Sequence, residues 1–300
     1  MGDITTGSVE ANGLEFGYLT AGPGDGPLAL CLHGFPDSAH TWRRLMPELA
    51  AAGYRAVAPF MRGYAPTSIP EDGAYQAGAL AADAVALHEA LGGGPDAVLI
   101  GHDWGAFATY GAAAFAPERW RKVVTMAVPP ISVMGTTFFD YEQLKRSFYM
   151  FVFQTPVAEA ALNRAFIEGL WRDWSPAGAG DSGGSAEDVD HVMSCLSTPA
   201  NMAAAIGYYR AMFDPSRHVE RYAAEQRACD AMGERPVLYL HGAEDGCLGV
   251  DVIAPGDDLS GVLAALPPGS RAGLVPGAGH FLQIDRPDEV NRRVVDWLAD

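Results

Sequence analysis

Short apolar runs alternate with longer helical patterns along most of the chain. Strands and helices that alternate in this way predict an α/β fold, a mostly parallel sheet with helices wound on both faces. An earlier segment, Val9–Leu19, ends in the turn-rich residues 20–27 and predicts an antiparallel hairpin at the sheet edge. The predicted buried strands are Leu28–Leu32, Ala56–Pro59, Ala97–Ile100, Val123–Ala127, Val237–Leu240 and Ala272–Val275; the predicted helices between them are Thr41–Ala52, Ala77–Leu91, Trp104–Phe115 and Pro287–Leu298.

The alternation stops after Pro130 and resumes at the strand that begins with Val237. Helical stretches rich in aromatic residues, such as Phe148–Phe153 and Ala203–Phe213, fill much of the interval, and small and polar residues form a loop at Ala177–Ser185. We therefore expect a helical lid inserted after the sixth strand, over the carboxyl ends of the strands, where open α/β folds bind ligands. The expected domains are a core of residues 1–130 and 233–300 and a cap of residues 131–232.

The composition is that of a globular, acidic protein. Of 300 residues 49% are hydrophobic, which is ample for a core, and the formal net charge of −17 disfavours nucleic acid or an anionic membrane as a partner. The four cysteines lack metal-site spacing, the N-terminus lacks the blocks of a signal peptide, and Pro129 and Pro130 interrupt the longest uncharged stretch. We expect reduced thiols, a cytoplasmic location and no metal or organic cofactor.

The segment Gly101-His102-Asp103-Trp104-Gly105 lies where a predicted strand must turn sharply into a helix. Small residues on both sides of the central one allow a tight turn, which leaves the central side chain strained and accessible above the sheet. A serine in the centre would indicate acyl transfer, whereas Asp103 indicates attack on an sp3 carbon and an alkyl-ester intermediate. Asp103 is therefore the predicted nucleophile.

An alkyl ester on Asp103 must be hydrolysed in a second step, which requires a base close to the ester carbonyl. His280 is the candidate base, because it lies in a glycine-rich turn directly after the last predicted strand. Asp245, just beyond the preceding strand, is the candidate acid that orients the imidazole and stabilises its charged form. Glu244 and Asp251 are weaker rivals for that position.

Two backbone amides complete the predicted site. His33-Gly34-Phe35-Pro36 follows a predicted strand, so the N–H groups of Phe35 and Trp104 would converge near Asp103. They would stabilise the oxyanion that forms when water attacks the ester. The tight turn makes Pro36 a candidate for a cis peptide bond, and His33 is interpreted as structural.

Together these motifs and the helical insert make the chain resemble an epoxide hydrolase of the α/β-hydrolase fold. The resemblance runs nearly from end to end, and the order nucleophile, acid, histidine is that of α/β-hydrolases. In this family two lid tyrosines hydrogen-bond the epoxide oxygen and protonate it as the ring opens. The resemblance implies Tyr149 as the first of them and Tyr209, directly before Arg210, as the second.

The same motifs are compatible with other functions. The core motifs are shared with haloalkane and haloacetate dehalogenases, for which Trp171 and Trp174 are candidate halide donors. A ligand-binding protein that kept the scaffold without turnover is a more distant hypothesis. The aromatic lid favours a small apolar or aryl epoxide, with water as the second substrate, and leaves a homodimer open. The sequence suggests no role for residues 246–260.

Overall fold

One mixed sheet organises the chain, of which this computed structural model describes residues 3–175 and 186–300. Within those residues the strands are β1 (Thr5–Ala11), β2 (Leu14–Ala21), β3 (Leu28–Leu32), β4 (Arg55–Pro59), β5 (Val98–His102), β6 (Lys122–Met126), β7 (Val237–Gly242) and β8 (Arg271–Val275). They lie in the order β1-β2-β4-β3-β5-β6-β7-β8. The pairs β1/β2 and β2/β4 are antiparallel, and the other pairs are parallel. The predicted mostly parallel sheet is confirmed.

The antiparallel edge is a hairpin closed by Asn12 and Gly13, whose φ angles are 47° and 77°. Both residue types adopt the left-handed region at low cost, so the pair suits a two-residue turn between twisted strands. Strand β2 then pairs with β4, with Tyr18 opposite Pro59, and joins the hairpin to the parallel strands. The predicted edge hairpin is confirmed.

The central strands β3 and β5 are buried along their whole length. Three helices accompany the first half of the sheet: α1 (Met46–Ala51), α2 (Ala77–Ala90) and α3 (Trp104–Phe115), of which α2 packs against α3. Strands that are covered on both faces have continuous apolar sequences, so their positions could be predicted closely from the sequence.

The predicted helix Thr41–Ala52 is two elements, a 3₁₀ helix over Ala39–Arg44 followed by α1. Pro47 is the second residue of α1, a position where its missing N–H is tolerated. In one continuous helix that N–H would have to bond to the carbonyl of Arg43, and the proline ring would clash with the same carbonyl. The prediction of a single helix is wrong in this respect.

The regular elements between β6 and β7 are all helical within the described residues. They are α4 (Ile131–Thr137), α5 (Tyr141–Arg146), α6 (Phe148–Val152), α7 (Ala158–Ala161), α8 (Arg164–Trp174), α9 (Ala186–Cys195), α10 (Pro199–Phe213) and α11 (Ala223–Asp230), with 3₁₀ turns at Pro215–Arg217 and Glu220–Tyr222. The predicted helical insert after the sixth strand is confirmed, while the predicted loop Ala177–Ser185 lies outside the described residues. In the described ranges, no helix has the length and apolar character needed to cross a membrane.

Four helices complete the fold: α12 (Val250–Ile253), α13 (Ser260–Ala264), α14 (Leu282–Asp285) and α15 (Pro287–Ala299). Helix α15 packs against α1 and β7. Strands β3, β5, β7 and β8 belong to the parallel part of the sheet, so their carboxyl ends lie at the same edge. That edge gathers the segments that carry Gly34, Asp103, Asp245 and His280.

Candidate active site

Asp103 lies at the turn between β5 and α3, with a φ of 53° and a ψ of −118°. Residues other than glycine seldom adopt a positive φ, so the surrounding structure must hold this strained backbone in place. Gly101 and Gly105 permit the turn, because a Cβ atom on Gly101 would collide with the carbonyl oxygen of Gly105, and one on Gly105 with that of Leu32. The sharp strand-to-helix turn predicted from the sequence is therefore present.

The loop after β3 lies against the carboxylate of Asp103. The N–H of Phe35 donates a hydrogen bond to Oδ1 of Asp103 at 2.7 Å, and the Phe35–Pro36 peptide bond is cis, as predicted. Gly34 makes this approach possible, since a Cβ atom there would collide with the Asp103 side chain. Trp104 supplies the first amide of α3, directly after Asp103. Its contribution to an oxyanion hole stays a prediction.

His280 connects Asp103 to Asp245. Its Nε2 atom lies 3.6 Å from Oδ2 of Asp103, and its Nδ1 atom lies 3.0 Å from Oδ2 of Asp245. The other oxygen of Asp245 accepts hydrogen bonds from the N–H groups of Cys247 and Leu248, at 2.7 and 2.9 Å. The structure thus brings together three side chains that are far apart in the sequence, with the imidazole between two carboxylates.

Burial and neighbouring charge act in opposite directions on these three groups. Burial alone would lower the pKa of His280, but the carboxylates of Asp245 and Asp103 outweigh it and raise that pKa to about 10. Burial would raise the pKa of Asp103 and of Asp245, but pairing with His280 outweighs it, and the pKa of each is lowered. The free site therefore holds an imidazolium between two carboxylates.

Two buried histidines close to Asp103 stay neutral. Burial lowers the pKa of His33 to about 4 and the pKa of His102 to about 3. Nε2 of His33 accepts the N–H of Met61 at 2.9 Å, and Nε2 of His102 donates to the carbonyl oxygen of His280 at 2.8 Å. These bonds hold the loops in place, in agreement with the structural interpretation of His33.

Tyr149 in α6 and Tyr209 in α10 line the cavity that contains Asp103. Their ring centroids are 5.4 Å apart, and the rings meet edge to face. The hydroxyl of Tyr149 lies 3.7 Å from Sγ of Cys247, whereas that of Tyr209 is buried and forms no hydrogen bond with the described residues. Burial raises the pKa of Tyr149 and the pKa of Tyr209 well above the ordinary value, so both hydroxyls keep their protons.

The cavity between these groups is small and mainly apolar. Its volume is about 20 Å³, which is room for a single water molecule. Nε2 of His280 is buried and, like the hydroxyl of Tyr209, has no hydrogen-bond partner in the described residues. A carboxylate and two phenols thus share one space, and the imidazole of His280 lies beside that carboxylate. Over the described ranges, no group of three His, Cys, Asp or Glu side chains is placed to hold a metal ion.

Sequence reasoning missed two residues that join the helical insert to the loop after β7. Gln143 in α5 is buried; its Nε2 donates to the carbonyl of Cys247 at 2.8 Å, and its Oε1 accepts the N–H of Gly249 at 3.2 Å. Cys247 itself lines the cavity. Residues 247–249 thus help to hold Asp245 and form part of the cavity wall. A single buried amide or thiol leaves no periodic signal in a sequence, so the fold was needed to find them.

The two lid tryptophans also contact the loops of the site. Nε1 of Trp171 donates to the carbonyl of Pro36 at 2.8 Å, and its ring stacks on Phe281 with centroids 3.6 Å apart. This bond occupies the N–H of Trp171, one of the two candidate halide donors. The carbonyl of Trp174 accepts the N–H of His280 at 2.9 Å, so the insert holds the backbone of the histidine loop.

Comparison with known proteins finds the same fold and a consistent group of relatives. Residues 27–164 match the family described as alpha/beta hydrolase fold. Epoxide hydrolase A of Mycobacterium tuberculosis is 32% identical, over 100% of this chain and 98% of that protein. The crystal structure of epoxide hydrolase A from Mycobacterium thermoresistibile is 29% identical, with a TM-score of 0.78 over 99% of this chain and 98% of that one. The Bacillus megaterium epoxide hydrolase solved with an inhibitor is 26% identical, with a TM-score of 0.78 over 98% and 100% of the two chains.

Proposed function

The chain belongs to the epoxide hydrolases of the α/β-hydrolase family, and from that premise we propose that it opens an epoxide to a vicinal diol through a covalent ester on Asp103. The observation that carries the proposal is that one carboxylate and two phenols line a single cavity, with the imidazole of His280 3.6 Å from that carboxylate. Each of these groups has a task in a two-step reaction whose second substrate is water.

In the first step the carboxylate of Asp103 attacks one carbon of the epoxide ring. Its lowered pKa keeps it ionised, and the N–H of Phe35 holds one of its oxygens. An alkoxide is a poor leaving group, so Tyr149 and Tyr209 donate a proton to the ring oxygen as its bond to the attacked carbon breaks. The product of this step is a hydroxyalkyl ester of Asp103.

In the second step the charge around His280 changes. The ester of Asp103 is neutral, so one of the two carboxylates that raise the pKa of His280 is lost, and the imidazolium releases its proton. That proton replaces the one given by the phenols. Neutral Nε2, oriented by Asp245, then takes a proton from water as the water oxygen attacks the ester carbonyl. The amides of Phe35 and Trp104 stabilise the oxyanion. As it collapses, the bond from the carbonyl carbon to the alkyl oxygen breaks, and that oxygen takes the second proton of the attacking water. The diol leaves, Asp103 is a carboxylate again, and His280 keeps the first proton.

The proposed roles divide along the expected domains. We propose that the core, residues 1–130 and 233–300, carries the nucleophile, acid and base, and that the cap, residues 131–232, carries the two phenols. The helical content between β6 and β7 supports this division. Helix α11, near the end of the cap, packs against α2 and α3 of the core.

The experiment that tests the proposal traps the ester. His280→Ala, incubated with styrene oxide, should gain the whole mass of the epoxide in intact-protein mass spectrometry, because the ester forms and no base removes it. Peptide mapping should locate the added mass on Asp103. As a matched control, Asp251→Asn replaces an acid that pairs with Arg146 outside the triad, and it should turn over without accumulating an adduct.

Two outcomes would contradict the proposal. One is an Asp103→Asn protein that hydrolyses epoxides at the parent rate, measured before the new amide has time to deamidate. The other concerns a haloalkane panel given to His280→Ala. Adducts that lack the mass of HX, in the absence of any epoxide adduct, would assign the nucleophile to dehalogenation.

A further inference from the structure

Gln143 in α5 is a buried polar side chain that has no role in the reaction described above. It is 1% exposed, and its amide offers two N–H donors and one carbonyl acceptor that need partners away from water. Nε2 donates to the carbonyl of Cys247 at 2.8 Å and to Oγ of Ser147 at 2.9 Å, and Oε1 accepts the N–H of Gly249 at 3.2 Å. The amide therefore holds the backbone of the loop after β7 at two points.

One peptide unit of this loop links Gln143 to the triad acid. The carbonyl of Cys247 and the N–H of Leu248 belong to the same trans peptide, which is planar, so the two groups point in opposite directions. The carbonyl accepts from Gln143, and the N–H donates to Oδ1 of Asp245 at 2.9 Å. Oδ2 of Asp245 in turn lies 3.0 Å from Nδ1 of His280. A continuous series of hydrogen bonds thus runs from the amide to the imidazole.

The loop has no regular secondary structure that would fix this peptide unit. Residues 243–249 belong to no helix or strand, and Gly246 and Gly249 on either side of the unit add backbone freedom. A side chain from another segment is therefore needed to set the orientation of the peptide, and Gln143 supplies bonds to its carbonyl and to the next N–H along the chain.

We propose that Gln143 is a positioning residue for the second reaction step, because it fixes the peptide unit that orients Asp245 and, through Asp245, the imidazole of His280. The inference rests on the proposed function, since it assigns the effect to hydrolysis of the ester on Asp103. The helical insert then has a part in both steps: Tyr149 and Tyr209 act in ring opening, and Gln143 supports the base that activates water.

Gln143→Leu tests the proposal, because leucine has a similar volume and removes all three hydrogen bonds. A displaced catalytic group can cost about 100-fold in rate, so the rate constant of ester hydrolysis should fall about 10-fold to 100-fold. Ester formation uses Asp103 and the two phenols, and its rate constant should fall less than about threefold. The ester should therefore accumulate during turnover of styrene oxide, and rapid-quench measurement of one turnover gives both rate constants.

Gln76 offers a matched control at a site remote from the triad. It is 2% exposed, and its amide also bridges two distant segments: Nε2 donates to the carbonyl of Val219 at 2.9 Å, and Oε1 accepts the N–H of Val219 at 2.9 Å. Gln76→Leu removes a buried amide bridge of the same kind. It should lower stability about as much as Gln143→Leu and leave the ratio of the two rate constants within about twofold of the parent.

Gln143→Glu gives a readout that a purely structural role would not change. A protonated carboxyl keeps both bonds to the loop, since its O–H can donate to the carbonyl of Cys247 while its other oxygen accepts the N–H of Gly249. An ionised carboxylate has no donor and repels that carbonyl. The measured quantity is the rate constant of ester hydrolysis in the variant divided by that in the parent at the same pH.

The surroundings of position 143 determine where this change occurs. Burial and the carboxylate of Asp245 would raise the pKa of the introduced carboxyl above its ordinary value. We therefore expect the relative rate constant to stay within about twofold of the parent at pH 5 and to fall at least about tenfold by pH 9. The titratable and charged groups on the surrounding elements are Asp245 and Cys247 of the loop, Tyr149 of α6, the pair of Arg146 with Asp251, and the exposed pair of Glu142 with Lys145 on α5 itself.

Hydrogen exchange at the N–H groups of Cys247 and Leu248 tests the same contact without any substrate. Exchange at both, followed by NMR, should be faster in Gln143→Leu than in Gln76→Leu. Equal exchange in these two variants would overturn the inference, because the loop would then keep its structure without the amide.

The kinetic results separate this inference from the proposed function. Equal slowing of both steps in Gln143→Leu, or a relative rate constant in Gln143→Glu that is the same at pH 5 and pH 9, would overturn the positioning role and leave the proposed function standing. Gln143→Glu decides alone if Gln143→Leu does not fold. No turnover of any epoxide by the parent would contradict the proposed function itself.

Discussion

Single residues of the site are held in states that cost the folded protein free energy. Asp103 has a strained backbone, and Tyr209 is buried with no bond to its hydroxyl in the described part of the chain. Both residues line one water-sized space. Residues that lower the stability of the fold in this way are often concentrated in active sites.

The two phenols give the first prediction at this scale. Replacing both Tyr149 and Tyr209 by Phe removes the proton donors for the ring oxygen, so we expect ester formation to slow by about 100-fold to 10,000-fold. Ester hydrolysis uses His280 and should change much less. Rapid-quench measurement of a single turnover separates the two steps.

Tyr208→Phe is the matched control for the double variant. Tyr208 is the neighbour of Tyr209 and is equally buried, but its hydroxyl donates to the carbonyl of Arg62 at 2.8 Å. Its loss should cost about 1 kcal/mol of stability and leave the ratio of the two rate constants unchanged. Equal slowing of both steps in the double variant would contradict the role of the phenols as acids.

At the scale of elements, two segments of the active site pack very closely against each other. The loop after β3 and the turn before α3 approach so closely that a methyl group on Gly34 would overlap the side chain of Asp103. Gly34→Ala should push the loop away and break the hydrogen bond from Phe35. We expect kcat to fall about 100-fold or more, with ester hydrolysis affected most, because that step needs the oxyanion donor. Stopped-flow kinetics of both steps measures this.

Gly24→Ala is the control for this substitution. Gly24 has open space around its Cβ position and no positive φ, so an alanine there should be silent in both steps. A Gly34→Ala protein with the kinetics of the parent would show that the loop can give way. The contact with Asp103 would then have no influence on catalysis.

The sequence predicted some elements much better than others, for physical reasons. Strand β3 begins and ends as predicted, because a strand that is buried on both faces has an uninterrupted apolar sequence. The strand-to-helix turn at Asp103 was also clear, since few residue types allow it. The break before Pro47 was missed because each side of it has a helical pattern. Gln143 was missed because its three-dimensional partners lie about a hundred positions away.

Some features of the site depend on how distant segments of the chain come together in the whole molecule. The order of the strands decides that the loops carrying Asp103, Asp245 and His280 meet at one edge, and residue patterns alone do not state that order. The same holds for the active-site cavity, whose wall combines residues of α4, α6 and α10 with the loop after β7. Tyr149 and Tyr209 were suggested by resemblance to a family, and their roles, like those of the triad, stay predictions until tested.

The pH dependence of stability is a prediction for the whole molecule. His280 titrates near pH 6.5 when unfolded, and its pKa is raised to about 10 in the fold. The stabilisation from its pairing is therefore complete below pH 6.5 and is lost as the pH rises towards 10. We expect the free energy of unfolding to fall on the order of 2 kcal/mol more between pH 7 and pH 9 in the parent than in His280→Gln.

Urea denaturation of both proteins at constant ionic strength measures this difference. The net charge of −17 adds repulsion that grows as the pH rises, but the parent and the variant share it, so it cancels in the comparison. The thiols and phenols cancel in the same way. Parallel stability curves for the two proteins would contradict a charged His280 in the fold.

The backbone N–H of His280 donates a hydrogen bond to the carbonyl of Trp174 in the cap. Because of this bond, the cap cannot be replaced by that of another protein without affecting the position of the histidine. A cap transplanted from a relative would bring a different segment to the backbone of the histidine. Such a chimera would inherit a new substrate wall and, at the same time, a displaced base. Changes of specificity that preserve turnover are therefore more accessible through point substitutions in α4 and α10 than through recombination of whole caps.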